Sequence, residues 1–332
     1  YLGAKGQDFS LPFLERGLIA GRAIWFYLGN LLWPFDLNFI YPRWVPDHAV
    51  WWQWLYPAGV FALLGVLWAL RHRSRAPLAA LLFFIGSLFP VLGFVNLYGG
   101  LYSFVWDHWQ YLPDLGLIAL AGAGLALAID KLGAAWRPVF ATGLAVGLGA
   151  LTWAHCAMFH DDRTLYRETL ARNPGAWMAH FNLGGMALKA GQDEEALAEF
   201  RAALRINPGL ADAEYNLGSI LGRMPGHEDE ALAHFETALR LAPENGAVHY
   251  NMGNLLGKMP GRIPDAIAHY QAAVRINPNL AEAHYNLGLA LLRNPEQVPE
   301  GISHLETAVR LKPNDFPLAL QVLARWQAAI KR

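Results

Sequence analysis

The chain contains almost no cysteine and has a long stretch without positive charge. Cys156 is the single cysteine among 332 residues, which excludes an internal disulfide and any zinc site built from cysteine pairs. Residues 77–130 contain neither lysine nor arginine. The formal net charge is only -1, so the overall charge gives no indication of nucleic-acid binding. We expect no nucleic-acid partner.

Several motifs that carry chemistry are also missing from the sequence. There is no P-loop, no Rossmann fingerprint, no zinc-ligand spacing and no serine-nucleophile elbow. We therefore expect no metal and no cofactor in this chain. It begins at Tyr1, not methionine, and shows no signal peptide with a cleavage site, so we expect a piece of a longer protein.

The composition divides the chain into two parts. Residues before 158 contain nine of the 26 lysines and arginines, but eleven of the 13 tryptophans. This predicts an apolar membrane domain over residues 1–159 and a soluble remainder. Five apolar stretches approach the length of about 17–20 residues that a bilayer requires. They are about 17–33, 54–70, 77–95, 115–129 and 139–159.

Basic residues near the spans predict their orientation, because cytoplasmic loops are enriched in lysine and arginine. Arg71, Arg73 and Arg75 follow the second span, and Lys131 and Arg137 follow the fourth. Residues 96–114 have no basic residue, and residues 34–51 have only Arg43. The last two loops should therefore lie outside, and the fifth span should place everything after it outside the cytoplasm.

The second part repeats one phrase four times, with an asparagine every 34 or 35 residues and a glycine two residues later. The asparagines are Asn182, Asn216, Asn251 and Asn286. The glycines are Gly184, Gly218, Gly253 and Gly288, and prolines end the units at Pro208, Pro243, Pro278 and Pro313. This period is typical of tetratricopeptide repeats. The sequence predicts an all-α protein: a transmembrane helix bundle, then an α-solenoid.

The repeat pattern also has a physical interpretation. Each glycine should let the first helix of its unit approach the second, and each proline should stop the second helix. We predict a connecting helix over 160–175, four repeats over 176–314 and a closing helix over 315–332. Leu318, Leu320 and Leu323 should pack that last helix on the final repeat.

The four repeated asparagines have two interpretations. The first helix of each unit should line the concave face, where a row of amides can bind the backbone of an extended peptide. Alternatively, the asparagines only stabilise the repeat. The histidines His180, His249 and His284 lie in separate units, so they cannot share one metal, and we expect surface or inter-repeat positions.

Polar residues near the membrane form a second group of candidates. Asp107 and His108 lie among aromatic residues in an outer loop, where they could orient a lipid-linked phosphate or act as an acid–base pair. Arg22, inside an apolar run, either pairs with Glu15 or holds a phosphate. Arg43 is a weaker phosphate candidate. Each of these residues also has a purely structural interpretation. Asp161 or Asp162 is expected to cap a helix and not to bind a metal.

Two strings outside the repeats carry a family resemblance. One runs from Arg22 through Tyr27 to Tyr41-Pro42, and the other runs from Tyr102 to Pro113 and contains Ser-Phe-Val-Trp-Asp-His. With an outward span into tetratricopeptide repeats, they resemble the transmembrane and tetratricopeptide-repeat O-mannosyltransferases and their bacterial relatives. That family is similar to the multispanning glycosyltransferases of the GT-C class.

The resemblance implies a function for the longer protein. It would transfer a sugar from a polyprenyl-phosphate donor to a polypeptide, with the lipid bilayer and the acceptor as partners. The implied location is a bacterial inner membrane with periplasmic repeats. The donor-phosphate candidates are Arg22, Arg43, Tyr102, Asp107 and His108. The acidic loop that the family places near its N-terminus is not matched, so no catalytic base is assigned. The alternative is a non-catalytic, membrane-anchored scaffold that assembles envelope proteins.

Overall fold

All regular secondary structure that the computed structural model describes is helical, as the sequence predicted. The described residues are 11–35, 37–94, 103–105, 107–132 and 135–330. The chain forms two compact units, Tyr1–Asn182 and Leu183–Arg332. The first unit contains α1 (Phe13–Leu32), α2 (Leu55–Ala69), α3 (Ala76–Leu88), α4 (Tyr111–Leu132), α5 (Trp136–Cys156) and α6 (Asp162–Arg172).

Among the residues that the structure describes, three helical segments are long and apolar enough to cross a membrane. They are Trp51–His72, Tyr111–Lys131 and Trp136–Phe159, which coincide with the second, fourth and fifth predicted spans. The third predicted span contains the shorter apolar segment Ala76–Val91, in which the α-helix ends before Pro90. The first predicted span forms the 20-residue helix α1, which contains Glu15, Arg16 and Arg22. The three long apolar segments indicate that the chain associates with a membrane.

A close helix contact organises the core of the first unit. Gly21 of α1 lies against Pro57 of α2, so near that an added Cβ would come within 2.6 Å of the proline nitrogen. Tyr27, Phe84 and Leu88 are completely buried in the apolar cluster around this contact. By contrast, most of α4 and α5 exposes apolar side chains, as expected of surfaces that face lipid.

Helix α6 is docked on the loop that follows α1. Asp161 caps α6, as predicted, with its carboxylate accepting the Thr164 backbone N–H at 2.8 Å. At the other end of the helix, Arg172 donates to the carbonyl of Leu37 at 2.7 Å, and Asn173 donates to the carbonyl of Ile40 at 3.1 Å. The Ile40 side chain is buried in a cluster with Ala176 and Ala179.

The tetratricopeptide repeats form four helix pairs. They are α7 (Trp177–Lys189) with α8 (Asp193–Ile206), α9 (Ala211–Leu221) with α10 (Glu228–Leu241), α11 (Gly246–Leu256) with α12 (Ile263–Ile276), and α13 (Ala281–Leu291) with α14 (Val298–Leu311). The predicted role of the repeat glycines is confirmed. A Cβ on Gly184, Gly218, Gly253 or Gly288 would come within 2.9 Å of a large side chain on the second helix. Those side chains are Phe200, Phe235, Tyr270 and Leu305.

The closing helix α15 spans Pro317–Ile330, but the predicted packing residues are only partly correct. Leu323 is buried against the last repeat, whereas Leu318 and Leu320 are 47% and 45% exposed. Phe316 and Ala319 take their place in the core. The physical reason is helical geometry: positions 319 and 323 lie about one turn apart on the same face, whereas positions 318 and 320 lie about 160° from each other around the helix axis and cannot both lie on that face.

Candidate functional site

The guanidinium of Arg22 lies against two aromatic rings, one from the loop after α1 and one from α2. Its guanidinium carbon lies 4.5 Å from the centroid of Trp44 and 5.6 Å from that of Tyr56, which are cation–π distances. Of the two alternatives for Arg22, the pairing with Glu15 is not seen among the described residues, where Glu15 instead lies 3.4 Å from the His48 ring nitrogen. The adjoining cavity measures about 10 Å³, which holds at most a water molecule.

Arg43 lies farther along the loop after α1, and Asp107 and His108 precede α4. The Arg43 guanidinium lies 5.0 Å from the Phe104 ring, and Phe104 in turn lies 6.4 Å from Trp44. Asp107 and His108 begin a single-turn 3-10 helix, Asp107–Gln110, that leads into α4. Tyr102 and the side chains of Asp107 and His108 lie outside the described residues, so their roles stay predictions.

Two polar residues near this turn were not identified from the sequence. Gln110 and Asp114 are 8% and 7% exposed, and one side-chain oxygen of each has no hydrogen-bond partner among the described residues. Their spacing of four residues, one helical turn, was the available signal. Buried oxygens at the start of α4 that no described residue pairs with are candidates for binding a hydroxyl or a cationic group.

The second unit contains a groove made of two adjoining cavities. The larger has a volume of about 410 Å³ and is lined by Asn254, Tyr270 and Asn286, among others. The smaller has a volume of about 210 Å³ and is lined by Ser219 and Asn251, among others. Both cavities share Asn254 and Lys258. We call this continuous surface the repeat groove. It contains Asn251 and Asn286, two of the four repeat asparagines that were predicted to bind a peptide as a ladder of amides. Asn216 lines neither cavity, and Asn182 is the last residue of the first unit.

The asparagines in the repeat groove are bonded between neighbouring repeats. Asn251 donates from Nδ2 to the hydroxyl oxygen of Tyr215 at 2.9 Å. Asn286 donates to Oδ1 of Asn254 at 2.7 Å, and the Tyr270 hydroxyl donates to the same oxygen at 2.9 Å. Burial raises the pKa of Tyr270 to about 12, so this hydroxyl keeps its proton. Part of the ladder is therefore structural, and Asn254, which sequence reasoning missed, is its central member.

A basic residue stands seven positions after each repeat asparagine, a second pattern that was missed. The four residues are Lys189, Arg223, Lys258 and Arg293. The last three line the repeat groove. These three residues lie two positions beyond the ends of α9, α11 and α13, and Lys258 and Arg293 each line a cavity together with the asparagine of the same repeat. Among the residues that the structure describes, no group of three metal-ligating side chains is placed to hold an ion.

His249 and His284 pair with histidines of the same repeat, and His284 also has the predicted inter-repeat position, because it contacts the proline that ends the preceding repeat. His249 lies with its Nδ1 3.0 Å from Nδ1 of His269, and the His284–His304 distance is 2.9 Å. His284 also bonds through Nε2 to the carbonyl of Pro278. Because a carbonyl only accepts, His284 carries its proton on Nε2, and its Nδ1 accepts from His304. Burial is the main cause that lowers the pKa of all four rings.

This arrangement predicts that the last two repeats lose stability in mild acid. The pKa values of these histidines are lower in the folded protein than in the unfolded chain, where they lie near 6.5. The unfolded chain therefore binds more protons, and the free energy of unfolding falls as the pH drops below about 6.5. Hydrogen exchange at pH 7.5 and 5.5 should show lost protection in α11–α14, after correction for the intrinsic exchange rate.

The second repeat supplies the control for this experiment. It has Glu214 where the later repeats have His249 and His284, and Glu214 pairs with His234. The double variant His249→Glu/His284→Glu should therefore restore protection at pH 5.5, because each histidine then has an anionic partner. An unchanged pH dependence would show that the histidine pairs are not its cause.

Comparison with known proteins agrees with the repeat geometry. Residues 163–211 match the family described as tetratricopeptide repeat, and residues 261–294 match the one described as TPR repeat. The second unit therefore has the fold of tetratricopeptide repeats, and repeats of this class support a protein or peptide partner. A crystal structure of MamA superposes with a TM-score of 0.42 at 21% identity, covering 46% of this chain and 86% of MamA.

Two curated relatives, both from Drosophila melanogaster, connect the chain with a particular group. Protein O-mannosyl-transferase Tmtc1 is 30% identical over 141 residues, which covers 40% of this chain and 16% of Tmtc1. Protein O-mannosyl-transferase Tmtc2 is 29% identical over 109 residues, covering 32% of this chain and 11% of Tmtc2. The chain thus spans less than a fifth of the length of either relative.

Proposed function

We propose that this chain is part of an integral-membrane glycosyltransferase of the GT-C class that transfers a sugar from a polyprenyl-phosphate donor to a polypeptide. The observation that carries the proposal is the similarity to two protein O-mannosyl-transferases in a chain that has both apolar helices and tetratricopeptide repeats. In the proposed reaction, the oxygen of an acceptor hydroxyl bonds to the sugar C1, the bond from C1 to the phosphate oxygen breaks, and the hydroxyl proton passes to the departing polyprenyl phosphate or to a base of the longer protein. The repeats hold the acceptor polypeptide.

We further propose a bacterial inner membrane as the location, with the repeats in the periplasm. The arginines that follow α2 and the Asp130–Arg137 pair between α4 and α5 would then face the cytoplasm. The loop after α1, with Arg43, and the turn at Asp107–Gln110 would face the periplasm near the donor. A cysteine introduced at Lys258 should react with membrane-impermeant reagents from the periplasmic side only.

The enzymatic proposal is tested by sugar transfer in the full-length protein with polyprenyl-phosphate mannose as the donor. The variants Asp107→Asn and His108→Gln should each reduce transfer about 100-fold if they act in proton transfer or phosphate orientation. The matched control is Asp130→Asn, at the opposite end of α4, where the carboxylate pairs with Arg137 at 2.6 Å. Undiminished transfer in Asp107→Asn and His108→Gln would return both residues to a structural role.

One observation favours the alternative of a non-catalytic membrane-anchored scaffold. Arg22 lies against Trp44 and Tyr56, and the cavity beside it has a volume of only about 10 Å³. A scaffold would bind polypeptides through the repeats but show no transfer with any lipid-linked sugar. The same assay therefore separates the two functions, because polypeptide binding without transfer supports the scaffold.

The repeat asparagines provide a binding test that both functions share. Replacing Asn182, Asn216, Asn251 and Asn286 together by alanine should weaken the binding of an acceptor peptide at least about tenfold, since backbone hydrogen bonds to the peptide are lost together with the inter-repeat bonds of Asn251 and Asn286. Fluorescence anisotropy of a labelled peptide measures this change. Asn279→Ala, an exposed asparagine in the turn before α13, is the control and should bind as the wild type does. Unchanged binding in the fourfold variant would refute the ladder.

A further inference from the structure

The repeat groove is lined by positive charge that nearby negative charge matches only in part. Lys258 lies where its two cavities adjoin, with Arg223 on the smaller cavity and Arg293 on the larger. None of the described residues that line the two cavities is acidic. The charge of the groove therefore favours an anionic ligand.

The three basic residues differ in how far they are already neutralised. Arg223 donates to both carboxylate oxygens of Asp193, the first residue of α8, at 2.9 and 3.1 Å. The first residue of α12 is Ile263, which lines the larger cavity together with Arg293. The position that supplies a carboxylate to Arg223 therefore supplies none to Arg293. Within the described part of the chain, Arg293 and Lys258 have no ion-pair partner.

The neutral side chains of the larger cavity also leave hydrogen-bond donors available. Oδ1 of Asn254 already accepts from Asn286 and from Tyr270. Its Nδ2 group has two hydrogens, and no described residue accepts them. The Asn254 oxygen already accepts two hydrogen bonds, and the ammonium of Lys258 and the guanidinium of Arg293 can only donate. The cavity therefore offers hydrogen-bond donors and little capacity to accept. Carboxylates match such a site because they only accept.

We propose that the repeat groove binds an acidic stretch of polypeptide, whose carboxylates are held by Lys258, Arg293 and Nδ2 of Asn254. This deepens the proposed function, on which it rests, by specifying the chemistry of the bound polypeptide. Side chains on alternate residues of an extended chain point the same way, so alternating acidic residues fit a row of cations along the repeats. The Asn251–Tyr215 and Asn286–Asn254 bonds keep that row in place.

The test uses the full chain in detergent and two fluorescein-labelled peptides of equal length. One alternates glutamate with serine, and the other alternates glutamine with serine. At low salt the wild type should bind the glutamate peptide at least about tenfold more tightly, and this preference should shrink as ionic strength approaches 0.15 M. The variant Lys258→Gln/Arg293→Gln should lose the preference while binding the glutamine peptide within about twofold of wild type.

The matched control removes the same charge elsewhere in the array. Arg240 and Arg275 lie in the last turns of α10 and α12 and line neither cavity. The variant Arg240→Gln/Arg275→Gln should keep the preference for glutamate. Equal affinity of the wild type for both peptides would overturn the inference while leaving polypeptide binding intact. If the wild type bound neither peptide, the result would count against this inference and also against polypeptide binding by the repeats. A preference that survives Lys258→Gln/Arg293→Gln would also overturn the assignment.

Discussion

Gly184→Ala is expected to destabilise the first repeat by about 1–3 kcal/mol, although alanine is the better helix former. The added Cβ would lie 2.9 Å from two ring carbons of Phe200, a contact that real Cβ atoms do not make. Phe200 is completely buried, so its ring has no free space into which it can move. The helices must then separate, which costs apolar contacts around the whole ring. Thermal unfolding followed by circular dichroism measures the change.

The neighbouring residue provides an unusually close control. Gly185 is on the same helix, and a Cβ there would meet nothing within 4 Å. Gly185→Ala should therefore stabilise the repeat by up to about 1 kcal/mol through helix propensity alone. Gly288→Ala should cost more than Gly184→Ala, because its Cβ would also come within 2.9 Å of the Gly301 carbonyl oxygen, which belongs to the backbone and cannot rotate away. Equal effects at positions 184 and 185 would contradict the close-approach interpretation.

The repeat architecture could be predicted because its determinants are local and recur. A glycine, a bulky residue and a proline return every 34 or 35 residues, so the phase of each helix is read several times. The closing helix occurs only once, and the choice of Leu318 and Leu320 was made from composition without helical phase. Packing followed the face of Phe316, Ala319 and Leu323 instead. Four copies of a repeat thus determine which face of each helix is buried, whereas the single closing helix offers no second copy for comparison.

The repeat groove was predicted less completely than the repeats themselves. The asparagines were identified because they are identical in all four units, whereas the basic row alternates lysine and arginine. Asn254 appears in one repeat only, where Ser219 and Leu289 occupy the equivalent positions in its neighbours. Its importance depends on two donors, Tyr270 and Asn286, which lie 16 and 32 residues away. No local sequence pattern encodes such a contact.

The same limit explains the errors near the membrane. Glu15 was the nearest acidic residue in sequence to Arg22, but the chain brings Trp44 and Tyr56 over the guanidinium from 22 and 34 residues away. An aromatic ring carries no charge opposite to that of the arginine, so the partners of a cation–π contact cannot be identified from charges in the sequence. Gln110 and Asp114 were passed over because burial, and not residue type, distinguishes them.

Ile40→Ala is expected to release helix α6 from the loop after α1. Ile40 is 1% exposed and packs against Ala176 and Ala179, so truncation removes three carbon atoms from a filled apolar contact. Such a change costs about 2–5 kcal/mol when the cavity does not collapse. The hydrogen bonds from Arg172 and Asn173 to this loop depend on the same docking. Trypsin should then cut α6 after Arg167 or Arg172 at least about tenfold faster.

Val45→Ala is the matched control, because Val45 belongs to the same loop but is 81% exposed. Its truncation should leave the rate of tryptic cleavage unchanged. Helix α6 is the covalent link between the last apolar helix and the repeats, so its docking determines how firmly that link is held to the loop that carries Arg43. Cleavage that is equally fast in both variants would mean that the polar bonds of Arg172 and Asn173 hold α6 without the Ile40 contact. Arg172→Gln/Asn173→Leu would then be the variant that releases it.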